Sequence, residues 1–198
     1  MKGSGGRERG TLLAAERVHD VLEAQGVESA VIGAMALAVR GYVRSTRDFD
    51  LATHTDPFGK LPQVRRALQE AGLQSELRTP DADDPLGGVL EVTGQGFKPI
   101  QIVNFLNPLA PRATAVGREA IERAEAGLIS QSRMRVVTLP HLVALKLYAG
   151  GAKSRNDVIE ILERNRPLDL GQVREVCARH GLGSDLEKIV AEIGLQGP

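Results

Sequence analysis

Two aspartates separated by a single residue are the first feature of this sequence that could carry chemistry. Asp48 and Asp50 open a stretch, ending at Thr53, whose alternating pattern predicts a β-strand. Because side chains alternate between the faces of a strand, both carboxylates point the same way, about 7 Å apart, while Phe49 and Leu51 point into the core. Such carboxylates repel one another unless a cation lies between them, and Mg²⁺ commonly takes one or two carboxylates plus substrate phosphates. The pattern alone also fits a solvated, half-exposed strand.

A glycine upstream of the aspartates favours the metal-site interpretation. Residues 29–32 form an apolar strand candidate that ends at Gly33, and the small residues that follow, 34–40, predict a short helix. Glycine lets the backbone come close to a ligand, and the free N–H groups at a helix N-terminus attract phosphate. The backbone at Gly33 and Ala34 therefore predicts a phosphate cradle that faces the carboxylates.

Two arginines flank the loop between the short helix and the aspartates. Arg44 and Arg47 could neutralise phosphates or an acidic acceptor molecule, and ordinary surface charge is an equal alternative for either one.

The segment from the glycine to the aspartates resembles the nucleotidyltransferase superfamily of the polymerase-beta type, and most closely its AbiE-type abortive-infection toxins. The residues on the family pattern are, in order, Gly33, Ala34, Ala36, Gly41, Arg44, Thr46, Asp48, Phe49, Asp50 and Leu51. The resemblance implies that Asp48 and Asp50 are catalytic metal ligands. It also implies nucleotide binding by the Gly33–Ala34 backbone and by the loop side chains, which are those of Arg44, Thr46 and Arg47.

A second segment carries a weaker resemblance to the same family. The predicted helix 139–150 is apolar nearly all round, and Lys146 is its only charged residue. An ion pair with a core carboxylate, or extension of the side chain to the surface, would explain this lysine. The family pattern instead implies that Lys146 meets nucleotide phosphates as a catalytic residue, and that Asp157 belongs to the nucleotide site, where it orients Lys146 or caps a helix.

The sequence departs from the family pattern at the third acidic position. Polymerase-beta-type transferases generally place a further carboxylate on a neighbouring strand, as a metal ligand or as the base that activates the acceptor. Gln101 occupies the expected position here, and its neutral amide cannot accept a proton at neutral pH. Glu91, on the preceding predicted strand, could substitute if its register places it on the face of Asp48 and Asp50; a solvent-facing role for Glu91 is the alternative.

The elements that must position these residues predict an α+β protein. Strands are predicted at 29–32, 48–53, 73–78, 88–92, 99–105 and 133–137, and helices at 11–25, 34–40, 57–71, 139–150, 154–165, 169–180 and 184–193. We expect a disordered tail over 1–10, a core over 11–137 and a helical C-terminal region, 138–198, packed on the core. The resemblance makes that core a nucleotidyltransferase-fold mixed sheet flanked by helices.

Composition limits the partners. Lys+Arg and Asp+Glu both number 25, so a zero formal charge gives no global attraction to nucleic acid or membrane. The single cysteine, Cys177, cannot form an internal disulfide, and its helical, apolar surroundings predict a buried thiol. No apolar run approaches the roughly 18 residues that a membrane span needs. We expect a soluble, cytoplasmic protein.

Three functions are compatible with these observations. The first is Mg²⁺-dependent transfer of a nucleoside monophosphate from an NTP to a hydroxyl acceptor, which could be a tRNA, a protein or a small molecule, in a toxin-like protein with a cognate antitoxin. The second, favoured by Gln101, is a catalytically degenerate module of the same fold that binds nucleotide or a protein partner. The third is an antitoxin-like or structural partner that uses its C-terminal helices as an interface.

Overall fold

The computed structural model describes residues 4–110 and 114–195. Within these ranges the strands are β1 Ser29–Val31, β2 Phe49–Thr53, β3 Gln74–Arg78, β4 Val89–Thr93 and β5 Ile100–Asn104. The helices are α1 Ser4–Ala24, α2 Gly33–Ala38, α3 Lys60–Glu70, α4 Thr114–Glu122, α5 Leu139–Ala149, α6 Gly151–Arg164, α7 Leu170–Arg179 and α8 Gly183–Glu192. Both types of element contribute to one fold, so the predicted α+β class is confirmed.

The five strands form one mixed sheet in the order β1-β2-β5-β4-β3. Strands β2 and β5 are parallel, and the other neighbouring pairs are antiparallel, including the predicted β4–β5 hairpin. The stretch predicted as a strand at 133–137 makes only two isolated bridges, from Val136 to Val31 and to Glu125. It extends the sheet beside β1 by a single residue because the chain turns at once into α5.

The core lies between the sheet and the helices that cover it. On β2, Phe49 and Leu51 are 4% and 0% exposed, whereas Asp50 between them is only partly buried. One face of β2 therefore belongs to the core, and on the other face Asp50 is partly exposed while Ala52 is buried. Helix α5 packs against α4, α6 and α7, which explains why its sequence is apolar nearly all round.

The N-terminal segment differs from the predicted disordered tail. Residues 4–10 are the first turns of α1, and residues 1–3 lie outside the described part. The Thr11 hydroxyl donates to the Arg7 carbonyl at 2.7 Å and accepts from the Lys98 backbone N–H at 2.9 Å. The second bond attaches α1 to the β4–β5 turn, and Arg7, Glu8 and Arg9, which suggested disorder, are exposed on the helix.

Helix α4 was not predicted from the sequence. Its central Gly117 resembles a helix breaker, yet a Cβ at this position would overlap the side chain of Phe105. The glycine therefore allows α4 to pack closely against the end of β5 and does not interrupt the helix. Val116, Ala120 and Ile121 form its buried side.

No helix within residues 4–110 and 114–195 is both long enough and apolar enough to cross a membrane.

Candidate active site

The site begins where β1 ends and α2 starts, beside the open face of β2. Gly33 has a φ of 62°, and a Cβ at this position would overlap the Asp50 carboxylate. The Ile32 N–H donates to the Asp50 backbone carbonyl at 3.1 Å, which fixes the two segments side by side. Only glycine satisfies both the left-handed backbone and the close approach of the Asp50 carboxylate, while the phosphate cradle expected at Gly33 and Ala34 stays a prediction.

The two aspartates lie close enough to interact electrostatically. Asp48 precedes β2 and accepts a hydrogen bond from the Thr46 hydroxyl at 2.7 Å, which orients its carboxylate. Burial, and secondly the charge of Asp48, raise the pKa of Asp50 from 3.8 to about 6. The protein has therefore placed a carboxylate where its own negative charge is poorly stabilised, an arrangement that a bound cation would relieve.

The donor set suits a metal that also binds substrate oxygens. Among the described residues, no group of three or more His, Cys, Asp or Glu side chains could hold a metal ion. Within the described part of the chain, Asp48 and Asp50 are therefore a pair of carboxylates without a third acidic partner. Mg²⁺ fits this pair, because it retains waters and commonly completes its shell with phosphate oxygens.

A buried ion network lies beside the aspartates. Asp157, on α6, is 1% exposed and receives two hydrogen bonds from Arg44, at 2.9 and 3.1 Å, together with a 2.8 Å contact from Lys146. The network joins the loop before β2 to α5 and α6. Arg44 and Lys146, which the sequence placed at the nucleotide, are thereby held together on one side of the site.

Asp157, which the resemblance assigned to the nucleotide site, is buried behind two cationic side chains. Its carboxylate is enclosed by the two cations, and at 1% exposure it has no free surface for a nucleotide. It does not cap a helix, because it lies inside α6. The remaining expectation, that Asp157 orients Lys146, agrees with the 2.8 Å contact between them.

Three cations surround Asp50. The charges of Lys146, Arg44 and Lys153 each lower its pKa, although burial and Asp48 together outweigh them. Lys153 was not singled out from the sequence. Its position in the first turn of α6, four residues before Asp157 and so on the same side of the helix, is the signal that could have identified it.

The strand register places Gln101 and Glu91 in one row with Asp50. Asp50 on β2 pairs with Gln101 on β5, and Gln101 pairs with Glu91 on β4. Paired residues project from the same side of a sheet, so Glu91 does share the face of Asp50. The Gln101 amide Nε2 donates to Glu91 Oε2 at 3.4 Å.

The other predicted site residues differ in their exposure. Ala34 is 6% exposed and has only a methyl side chain, so any hydrogen bond to a ligand must come from its backbone. Arg47 is exposed, one residue before Asp48. Thr46 and Asp48, on either side of Arg47 in the sequence, are partly buried. The Arg47 side chain is exposed and is therefore accessible to solvent and to a bound anion.

Comparison with known proteins identifies the architecture. No family model and no curated protein sequence matches this chain. Among solved structures, it matches the antibiotic-resistance factor ANT(2'')-Ia with a TM-score of 0.53 and 14% identity, over 92% of this chain and 97% of that chain. It also matches a candidate nucleotidyltransferase from Thermotoga maritima with a TM-score of 0.51 and 14% identity, over 77% of this chain and 92% of that chain.

These matches, together with the mixed sheet and the paired aspartates beside a glycine turn, define a protein of the nucleotidyltransferase fold. The predicted fold is thus confirmed. The narrower resemblance to AbiE-type toxins remains a prediction from the sequence.

Proposed function

We propose that this protein is a Mg²⁺-dependent nucleotidyltransferase that moves a nucleoside monophosphate from an NTP to a hydroxyl acceptor. The observation that carries the proposal is the crowding of Asp50 against Gly33 and Asp48, opposite three cationic side chains. A pair of oxygen ligands and a cluster of cations on the same open face suit a metal-bound triphosphate. A carboxylate whose pKa is raised by burial and by a second carboxylate is an arrangement that recurs at functional sites.

Each residue has a distinct task in this proposal. Asp48 and Asp50 hold the cation, and Thr46 keeps Asp48 in its orientation. Bound Mg²⁺ would neutralise the triphosphate and make the α-phosphorus more electrophilic. Lys146 and Arg44, fixed by Asp157, offset charge that develops on the departing pyrophosphate.

The transfer itself is a substitution at phosphorus. The acceptor oxygen forms a bond to the α-phosphorus as the bond from that atom to pyrophosphate breaks, and the acceptor proton leaves to a base. The protein contributes chiefly by holding the two reactants in line and by stabilising the negative charge. The backbone of Gly33 and Ala34 would bind the outer phosphates, and exposed Arg47 would contact them or the acceptor.

The acceptor is proposed only as a class of molecule that carries a hydroxyl group: a tRNA, a protein or a small molecule. The sequence resemblance to AbiE-type toxins supports a toxin-like role with a cognate antitoxin.

A transfer assay tests the proposal directly. The purified protein is incubated with Mg²⁺, each α-labelled NTP in turn and total cellular RNA, and label is followed on the RNA and on the protein itself. We expect transfer by the wild type and a loss of at least about 100-fold in Asp50→Asn, because the metal loses a ligand. Asp20→Asn, a surface substitution of the same chemistry on α1, is the matched control and should retain activity. Equal transfer by Asp50→Asn and the wild type would contradict the mechanism.

A second candidate function is nucleotide binding without transfer, and Gln101 favours it because an amide replaces the usual carboxylate. A thermal shift with Mg²⁺ and NTP, without transfer under any acceptor, is the outcome expected of such a module. Its binding should still be lost in Asp50→Asn.

A further inference from the structure

Glu91 lies on β4, two strands away from Asp50. The position that would normally carry the third carboxylate is on β5, directly beside Asp50, and Gln101 occupies it. The row across the sheet runs from Asp50 through Gln101 and Glu91 to Glu76. With strands about 4.8 Å apart, Glu91 lies about 10 Å from Asp50 at the backbone, and Glu76 about 14 Å. Glu91 is partly buried within the sheet, whereas Glu76 is exposed on the edge strand.

We propose that Glu91 is the general base that removes the proton from the acceptor hydroxyl, in place of the carboxylate that Gln101 does not provide. This inference rests on the proposed function. It assigns Gln101 a positioning role: its amide Nε2 donates to Glu91 Oε2 at 3.4 Å and leaves the second carboxylate oxygen for the acceptor.

The spacing fits a base and a metal ligand on opposite sides of the reacting atoms. A base lies within about 3 Å of the hydroxyl oxygen, and that oxygen attacks phosphorus from about 3 to 3.5 Å. A phosphate oxygen then binds a metal that lies about 2 Å from its carboxylate ligand. Laid end to end, these contacts and the phosphorus–oxygen bond span at most about 12 Å, which covers the roughly 10 Å between Asp50 and Glu91 but not the roughly 14 Å to Glu76. Glu76 is too remote for the same task.

There is room for an acceptor on this side of the sheet. An open groove of about 480 Å³ adjoins the row, and its lining residues are Glu76, Leu77, Arg78, Val89, Glu91 and Gln101. An acceptor in this groove would reach Glu91 from the side away from Asp50. The base and the triphosphate would then approach the acceptor hydroxyl from different directions.

The step balances without a further reactant. The acceptor O–H bond breaks and its proton passes to the Glu91 carboxylate, while the oxygen forms its bond to the α-phosphorus. The electron pair of the broken phosphorus–oxygen bond leaves with pyrophosphate. Glu91 returns its proton to solvent before the next cycle.

The test compares five proteins, the single variant Gln101→Glu among them, in the labelled-NTP assay and in binding of Mg²⁺ with an α,β-methylene NTP analogue. We expect Glu91→Gln to reduce transfer by at least about 100-fold, the usual contribution of a general base, with analogue affinity unchanged. The double variant Glu91→Gln/Gln101→Glu returns a carboxylate to the adjacent strand and should recover at least a tenth of the lost rate. Asp20→Asn, the surface control on α1, should stay within twofold of the wild type.

Loss of transfer with unchanged analogue affinity distinguishes a base from a structural residue, because a base acts on the chemical step and not on binding. A wild-type rate in Glu91→Gln would overturn the inference. It would also be overturned if the wild type bound the analogue without transfer while Gln101→Glu alone transferred label. Absence of analogue binding by the wild type would instead defeat the proposed function, and the inference with it.

Discussion

The Lys146 ammonium lies 2.8 Å from the carboxylate of Asp157, a residue that is 1% exposed although it carries a full negative charge. Arg44 binds the same carboxylate from the loop that precedes β2. The contact therefore joins three segments distant in sequence, and it decides where two of the cations around Asp50 are placed. Its loss should affect both the stability of the fold and the geometry of the site.

Replacement of Asp157 by asparagine should be strongly destabilising. The substitution preserves shape but leaves the charges of Arg44 and Lys146 uncompensated in a region where both are about 15% exposed. We expect the free energy of unfolding to fall by about 3 kcal/mol, as measured by urea denaturation.

Asp185→Asn is the matched control for this prediction. Asp185 pairs with Lys188 at 2.8 Å, but the two side chains are 53% and 73% exposed, so the loss should be below about 1 kcal/mol. Equal destabilisation by the two variants would mean that the Asp157 network contributes no more than a surface ion pair.

Gly33→Ala should impair nucleotide binding more than its backbone conformation alone explains. Alanine would have to adopt the left-handed conformation at a φ of 62°, which its methyl group disfavours, and the methyl group would also overlap the Asp50 carboxylate. We expect the Mg²⁺–NTP thermal shift to disappear, because Asp50 must move to make room.

Gly41→Ala separates the two effects of that substitution. Gly41 has a φ of 85°, but a Cβ there meets nothing within 4 Å. It should cost about 1 to 2 kcal/mol of stability from the backbone conformation and leave the thermal shift with Mg²⁺–NTP intact. Loss of that shift in both variants would attribute it to general destabilisation, not to contact between residue 33 and Asp50.

The local part of the site could be predicted from the sequence, because strand, glycine turn and short helix follow one another within about twenty residues. Alternation alone placed Asp48 and Asp50 on one side, and the structure brings Gly33 against Asp50. A turn of this kind depends on nearest neighbours, so a short stretch of sequence contains nearly all the information that specifies it.

The long-range part could not be predicted in the same way. Arg44 and Asp157 are separated by 113 positions, and nothing in their local sequence specifies that they meet. The side of the sheet from which Glu91 projects depends on the register of two strand pairs. Hydrophobic periodicity does not decide between neighbouring registers. The helical start of α1 was missed for a related reason: its charged turns are stabilised by a contact between Thr11 and Lys98, far along the chain.

Cys177 should be nearly inert toward thiol reagents in the native state. The residue is 0% exposed, and burial raises the pKa of its thiol to about 11. The thiolate is the reactive species, so labelling at pH 8 should be at least about 100-fold slower than in denaturant. Cys177→Ala/Ser184→Cys, with a cysteine at an exposed position, is the control and should label rapidly in both conditions. Fast native labelling of Cys177 would show that α7 opens readily.

The raised pKa of Asp50 predicts how stability changes with pH in the metal-free protein. The native state binds this proton more tightly than the unfolded chain, because the pKa rises from 3.8 to about 6 on folding. The resulting stabilisation is fully present below pH 4 and is lost as the pH rises through 6. Asp50→Asn has no such charge, so its stability relative to the wild type should increase by up to about 3 kcal/mol between pH 4 and 7. Urea denaturation in EDTA across this range measures the difference.

Substitution of Asp48 and addition of Mg²⁺ test why the pKa of Asp50 is raised. Burial is the larger cause, so Asp48→Asn should lower the pKa of Asp50 only in part and leave much of the pH dependence in place. Mg²⁺ at pH 7.5 should stabilise the wild type, because the cation binds the ionised pair, and should have little effect on Asp50→Asn. An Asp50 carboxyl that titrates near 4 by NMR in the metal-free protein would contradict both expectations, since the site would then hold its negative charge without needing a cation.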